Sequence, residues 1–203
     1  MFVIQMKSGK ESHLYGASIG ELHREKILKQ VGPVLEPGEA GEIVVLDFTG
    51  VESVTASYLK AALLWFVDAG TKAEDPLPAE RLGSLIFPVV AHLTDEVRAE
   101  LRELLQARDR CCIEARDFSA IGVISGILHG PLDPALEATV KVLSDYGAPV
   151  SAGELEKLGK DSRVRATGWN NRLAQLHRLK LVQRRQEYRQ WMYRLVGLEV
   201  HRG

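Results

Sequence analysis

The sequence predicts an α/β fold with a largely parallel sheet, followed by a smaller, basic, mainly helical module. Three observations carry this. Continuous β-branched runs such as Ile43-Val44-Val45-Leu46 alternate with amphipathic helical stretches, the pattern of strands buried on both faces. A Gly- and Pro-rich segment at 125–134 then separates two regions of different pattern. The charge also changes sign: residues 1–150 carry 14 Lys+Arg against 22 Asp+Glu, a net −8, and residues 151–203 carry 12 against 5, a net +7. The predicted division is an α/β domain at 1–124, a linker at 125–134 and a basic domain at 135–203.

With 45% hydrophobic and 26% charged residues, the 203-residue chain has a globular composition that excludes disorder and collagen-like repeats. No apolar run approaches the ~20 residues of a membrane helix. The start, Met1-Phe2-Val3-Ile4-Gln5-Met6, is too short and wrongly flanked for a signal peptide. Cys111 and Cys112 are adjacent and make neither a disulfide framework nor a zinc pattern. A cytoplasmic protein with no membrane partner is expected.

Residues 2–6 read as a strand. Ser18 with Glu21 forms a capping box for a helix over 18–31, whose Ile19, Leu22, Ile27, Leu28 and Val31 share a broad apolar face. Gly32-Pro33 stops it. A strand at 43–46 precedes an apolar helix at 56–67, and a Pro- and charge-rich loop at 71–83 leads to a strand at 85–91. Thr94 caps the next helix, to residue 107, with Val97, Leu101, Leu104 and Leu105 inward. In a strand at 111–115 the two cysteines point to opposite faces and serve as packing.

Beyond 134 the pattern is three helices and a two-stranded ribbon. The first helix, 135–145, sets Leu136, Val140 and Leu143 in register; the second opens on a capping box, Ser151 with Glu154, and runs through Leu158. A turn at 159–165 precedes the third, 167–179, and residues 181–196 fold back as two strands. That is the order of a winged helix-turn-helix. On the third helix a 100° step gathers Trp169, Leu173, Leu176 and Lys180 in one sector, with the Lys180 stem along apolar surface. The same step turns Thr167, Asn170, Asn171, Ala174, Gln175 and Arg178 outward. Asn, Gln and Arg make paired hydrogen bonds to base edges, and Thr and Ala meet the thymine methyl. Arg163 and Arg165 suit phosphates at the helix N-terminus, where the dipole favours an anion. Arg184, Arg185, Arg189 and Arg194 on the ribbon suit the DNA backbone, while Trp191, Tyr193 and Leu195 alternate to pack it on the helices. A polar helix face is also what any solvated helix shows; its coincidence with the basic charge and the element order points to DNA.

Thr167-Gly-Trp-Asn-Asn-Arg-Leu-Ala-Gln-Leu-His-Arg-Leu-Lys-Leu-Val resembles the recognition helix and following strand of bacterial winged-helix transcription regulators. Those share a Thr/Ser start, an Asn-Arg-Leu centre and Leu-X-X-Leu-X-Leu-Val/Ile. The likeness covers residues 133–197 and implies double-stranded DNA as partner, read by a homodimer on two half-sites. Winged helices also dock proteins, and the family usually has Gly where Lys180 stands.

In the first domain, Val44-Val-Leu-Asp47-Phe-Thr-Gly-Val51-Glu-Ser-Val54-Thr55-Ala56-Ser57-Tyr-Leu59 resembles the central signature of STAS domains, found in anti-sigma-factor antagonists and sulfate transporters, and above all their STAS-like variety. The resemblance covers residues 40–115 and implies a mixed or parallel sheet with helices and a regulatory protein partner. Antagonists carry Asp-Ser-(Ser/Thr)-Gly at a phosphorylation switch. Aligned on it, Thr55 falls at the Asp and Ala56 at the phosphorylated Ser, so the switch is lost unless Thr55 or Ser57 substitutes; the plainer role is a helix cap.

His13, His23, His92, His129, His177 and His201 show no metal-ligand spacing, and no phosphate loop, nucleophile elbow or paired carboxylates occur. Neither catalysis, nor a cofactor, nor a metal is expected. The reading is a DNA-binding transcriptional regulator whose STAS-like domain binds a protein or dimerises. The alternative is an adaptor of the anti-sigma-factor antagonist type, with both modules docking proteins.

Overall fold

A computed structural model of the chain describes residues 1–7, 9, 12–35, 40–69, 78–119, 122–158 and 164–202. The chain opens with β1 (Phe2–Gln5) and the short β2 (His13–Leu14), then α1 (Ala17–Val31). The expected capping box is not formed: Ser18 lies inside the first turn, and Gly16 takes the cap position with its N–H donating to Thr55 Oγ1 at 3.0 Å. Nor does Leu22 face inward; it is 59% exposed. The contact line runs instead through Gly20, Ile27 and Val31. A Cβ on Gly20 would sit 2.6 Å from the Tyr58 carbonyl oxygen, so only glycine allows this approach, and it rotates Leu22 into solvent.

β3 (Glu42–Asp47) and β4 (Ser53–Val54) follow, then α2 (Ala56–Leu59), a π-helical turn (Lys60–Leu64) and α3 (Trp65–Ala69). Part of the expected loop at 71–83 lies outside the described residues, and the rest is helical, as α4 (Pro78–Ser84). A proline is tolerated there because the first helical N–H has no partner to lose. β5 (Ile86–Ala91), α5 (Asp95–Arg108) and β6 (Cys112–Ser119) complete the α/β repeat, with the Thr94 hydroxyl accepting from Val97 N–H at 3.2 Å.

Residues 125–134 are not the expected linker. β7 (Gly122–His129) includes Ser125–His129 in sequence and pairs antiparallel with β6. Then come α6 (Pro134–Tyr146), α7 (Ala152–Lys157), α8 (Ala166–Arg178), β8 (Val182–Glu187) and β9 (Gln190–Leu195). The Ser151–Glu154 capping box is formed in full. A single antiparallel bridge joins Val150 to Tyr193 of the β8–β9 hairpin. The chain then returns to the central sheet as β10 (Gly197–Arg202), parallel to β7, so the segment 135–203 is not wholly separate from the first.

The result is a mixed α/β fold with a six-stranded, mostly parallel sheet ordered β1-β3-β5-β6-β7-β10. Alternation splits each strand between two cores. Val44, Leu46, Ile86, Val90 and Cys112 pack beneath α1, α2, α3 and α5. Val45, Phe87, Val89, Cys111 and Ile113 pack against Leu136, Val140, Trp169, Leu173, Leu176, Tyr193 and Leu195. The cysteines do face opposite ways, and the basic module is one layer of the sandwich. The first face also buries Glu114, which accepts from Arg98 Nε at 3.0 Å and lies 2.7 Å from His129 Nε2. Burial pushes the Glu114 carboxyl up, but the His129 and Arg98 hydrogen bonds overturn that and bring it to about 2.

Candidate nucleic-acid interface

α8 buries Trp169, Leu173 and Leu176 and leaves Thr167, Asn170, Asn171, Gln175 and Arg178 exposed along the other side. The start of the helix differs from expectation. Arg165 is the exposed N-cap residue without a side-chain cap, and Arg163 lies outside the described residues. The first free N–H, on Ala166, donates to Glu156 Oε2 at 3.1 Å, while Arg165 Nη1 lies 3.5 Å from Glu156 Oε1. A carboxylate from α7 thus occupies the positive helix end that was assigned to a phosphate.

The hairpin continues the same surface. Register sets Val182, Arg184, Gln186, Trp191, Tyr193 and Leu195 on one face, and Val182, Tyr193 and Leu195 bury against the helices. The Tyr193 hydroxyl donates to Asn170 Oδ1 at 3.2 Å, fixing that asparagine. Trp191 extends past the helix and is 41% exposed, so it is not the packing residue that alternation implied; the Arg184 guanidinium stacks over its ring at 4.5 Å. Ser151, Gly153, Thr167, Asn170, Gln190 and Trp191 line a groove between the starts of α7 and α8 and the hairpin. At the tip, Tyr188 and Arg189 both hold positive φ (45° and 71°), and Tyr188 is 98% exposed. Two-residue turns of that hand favour Asn-Gly.

The ribbon arginines do not act as one set. Arg185 and Arg194 lie on the opposite face with Gln183 and Met192, and Arg185 pairs with Glu187. They look toward the first residues of β1 and β3, away from α8. Lys180 is a second departure. Its backbone is left-handed (φ 63°), and the whole side chain is buried, ammonium included. Nζ donates to the carbonyls of Gly83, at 3.4 Å, and Ser84, and sits 4.9 Å over the Phe87 ring. Burial lowers its pKa to about 7. Beside it His177, tilted on Phe87 at 5.6 Å, is brought by burial to about 4, although a contact with the Val182 carbonyl opposes the shift.

No family model matches the chain, and neither a curated protein nor a solved structure matches it.

On the α/β side, Thr55 caps α2: its hydroxyl accepts from Tyr58 N–H at 3.4 Å and from Gly16 N–H, with Ser57 Oγ 3.1 Å away. A cluster that the sequence reading passed over lies where β3 and β5 end. Asp47 Oδ1 accepts from the Thr49 hydroxyl at 2.7 Å and lies 2.8 Å from His92 Nδ1. Burial pushes the Asp47 carboxyl up, but Thr49 and His92 outweigh it and hold the carboxyl below its ordinary value. Among the described residues no group of three or more His, Cys, Asp or Glu is placed to hold a metal ion.

Proposed function

We propose that this chain is a DNA-binding transcriptional regulator, with α6–β9 as a winged helix-turn-helix and the remaining α/β layer as a STAS-like domain for dimerisation or protein binding. One observation carries the reading: of the outward residues expected of the third helix, Thr167, Asn170, Asn171, Gln175 and Arg178 are exposed and Ala174 is half-buried, on one side, flush with a hairpin face that holds Arg184 over Trp191. Such a face offers paired hydrogen bonds to base edges and a cation to the flanking phosphates. Arg178, Arg184 and Arg189, with Arg165 once it exchanges its Glu156 partner for a phosphate, are the cations within reach of the DNA backbone, about four per protomer. Gel shifts of the full chain on duplex DNA from 50 to 200 mM KCl test this. Retention should fall with a log–log slope of roughly −0.9 per phosphate contact, about −4 per protomer. Absence of binding, or binding indifferent to salt, would leave the adaptor reading in its place.

A further inference from the structure

A cleft opens where the back of the β8–β9 hairpin meets the first residues of β1 and β3. It encloses about 290 Å³, close to the lower end of the ~300–1,000 Å³ range of small-molecule sites. Its walls are held in place. Gln183 Nε2 donates across it to the Gly41 carbonyl at 2.8 Å. Gly41 in turn has positive φ (78°), and a Cβ there would stand 2.4 Å from the Leu85 carbonyl oxygen, so only glycine lets this wall lie against the start of β5.

The polar lining is cationic. Arg194 sits opposite Gln183 and Arg185 opposite Met192, so the two arginines are diagonal neighbours on one strand face. Arg194 pairs with no acid among the described residues. Arg185 holds Glu187 of its own strand, an exposed pair of the kind that exchanges at little cost. The one acid among the described lining residues, Glu42, already holds the Met1 amino group at 2.9 Å. Ile43, Pro149 and Met192 supply the apolar remainder.

We infer that this cleft is a binding site for a small-molecule phosphate monoester. A phosphate dianion has oxygens for two guanidinium forks at once, a geometry that a single carboxylate meets less well. The apolar wall takes the organic body. Arg184, which stacks over Trp191 on the other face, also borders the cleft; the site is therefore tested without DNA and through Arg185 and Arg194, which the DNA reading does not use.

Isothermal titration of the full chain, without DNA, tests it with phenyl phosphate, inorganic phosphate and benzyl alcohol as probes. Phenyl phosphate should bind one to one with a sub-millimolar Kd, at least tenfold tighter than inorganic phosphate, and benzyl alcohol should give no heat. Arg194→Met and Arg185→Met should each weaken phenyl phosphate tenfold or more. Arg194→Lys, which keeps the charge and loses the fork, should give an intermediate loss and covers the case in which a methionine variant misfolds. Three results would overturn the site: no heat with phenyl phosphate, equal affinity for inorganic phosphate, or unchanged binding by folded variants.

Discussion

Lys180 joins the two layers of the molecule, and its protonation gives a stability signature that can be calculated. The folded-state pKa is about 7 against 10.5 for a free lysine. Between those values the unfolded chain binds more protons than the folded one, so stability must rise with pH. At pH 7 half of the folded molecules and nearly all unfolded ones carry the proton; at pH 9 almost no folded ones do. Integrating that difference at about 1.36 kcal/mol per pH unit gives a gain of about 2 kcal/mol from pH 7 to 9. Lys180→Met keeps an unbranched stem and titrates nowhere. Urea denaturation of both proteins at pH 7, 8 and 9, followed by circular dichroism, isolates this group, since all others cancel in the difference. The parent should gain about 2 kcal/mol on the variant over that range. Parallel pH profiles would refute the burial of a charged ammonium between Phe87 and the end of α4.

Other perturbations separate further parts of the argument. Gly20→Ala drives a Cβ into the Tyr58 carbonyl oxygen and should lower stability by about 1–3 kcal/mol in urea melts, despite alanine's better helix propensity. Glu156→Gln removes the anion from the start of α8 and should tighten DNA binding about three- to tenfold at low salt in gel shifts, with less effect at high salt. Arg184→Ala should flatten the salt slope by about one unit while Arg185→Ala leaves it unchanged, and Gln175→Ala should cost about 1–3 kcal/mol on the preferred site only. Thermolysin should leave 125–129 uncut until global unfolding, read by intact mass, because β7 is hydrogen-bonded on both sides.

What the sequence discloses here follows from how local each signal is. Thr94 and the Ser151–Glu154 box act within one turn, and both caps are where the residues place them. The burial of Trp169, Leu173 and Leu176 follows from periodicity alone, and with it the outward row from Thr167 to Arg178. Signals that depend on distant partners were not legible. Gly20 reads as an ordinary glycine until Tyr58 is known to lie against it. Glu156 caps a helix that starts ten residues later, which no capping pattern encodes. The opposite facing of Arg184 and Arg185 could have been had from alternation, once the turn at Tyr188-Arg189 set the register. Gly197–Arg202 looks like a short polar tail because its partner, β7, is more than seventy residues away in sequence. The Gly and Pro residues that suggested a linker act elsewhere: Gly126 lies where a Cβ would stand 2.7 Å from Ile113 Cγ2, and Pro134 begins α6.

The parallel pairing of β10 with β7 has a mechanical consequence. Neighbouring parallel strands need a crossover connection, and here the entire stretch from α6 to β9 is that crossover. It leaves the sheet at one end of β7 and rejoins it at the other end of β10, anchor points separated by roughly 20 Å at ~3.3 Å per residue. A body hung from a single tether swivels; one pinned at two such points can turn only about the line between them, and the core it shares with the sheet blocks that turn. The orientation of α8 is therefore a property of the sheet. If two copies associate through their α/β layers, the separation and angle of their two α8 helices are set by that association, with no hinge to adjust them.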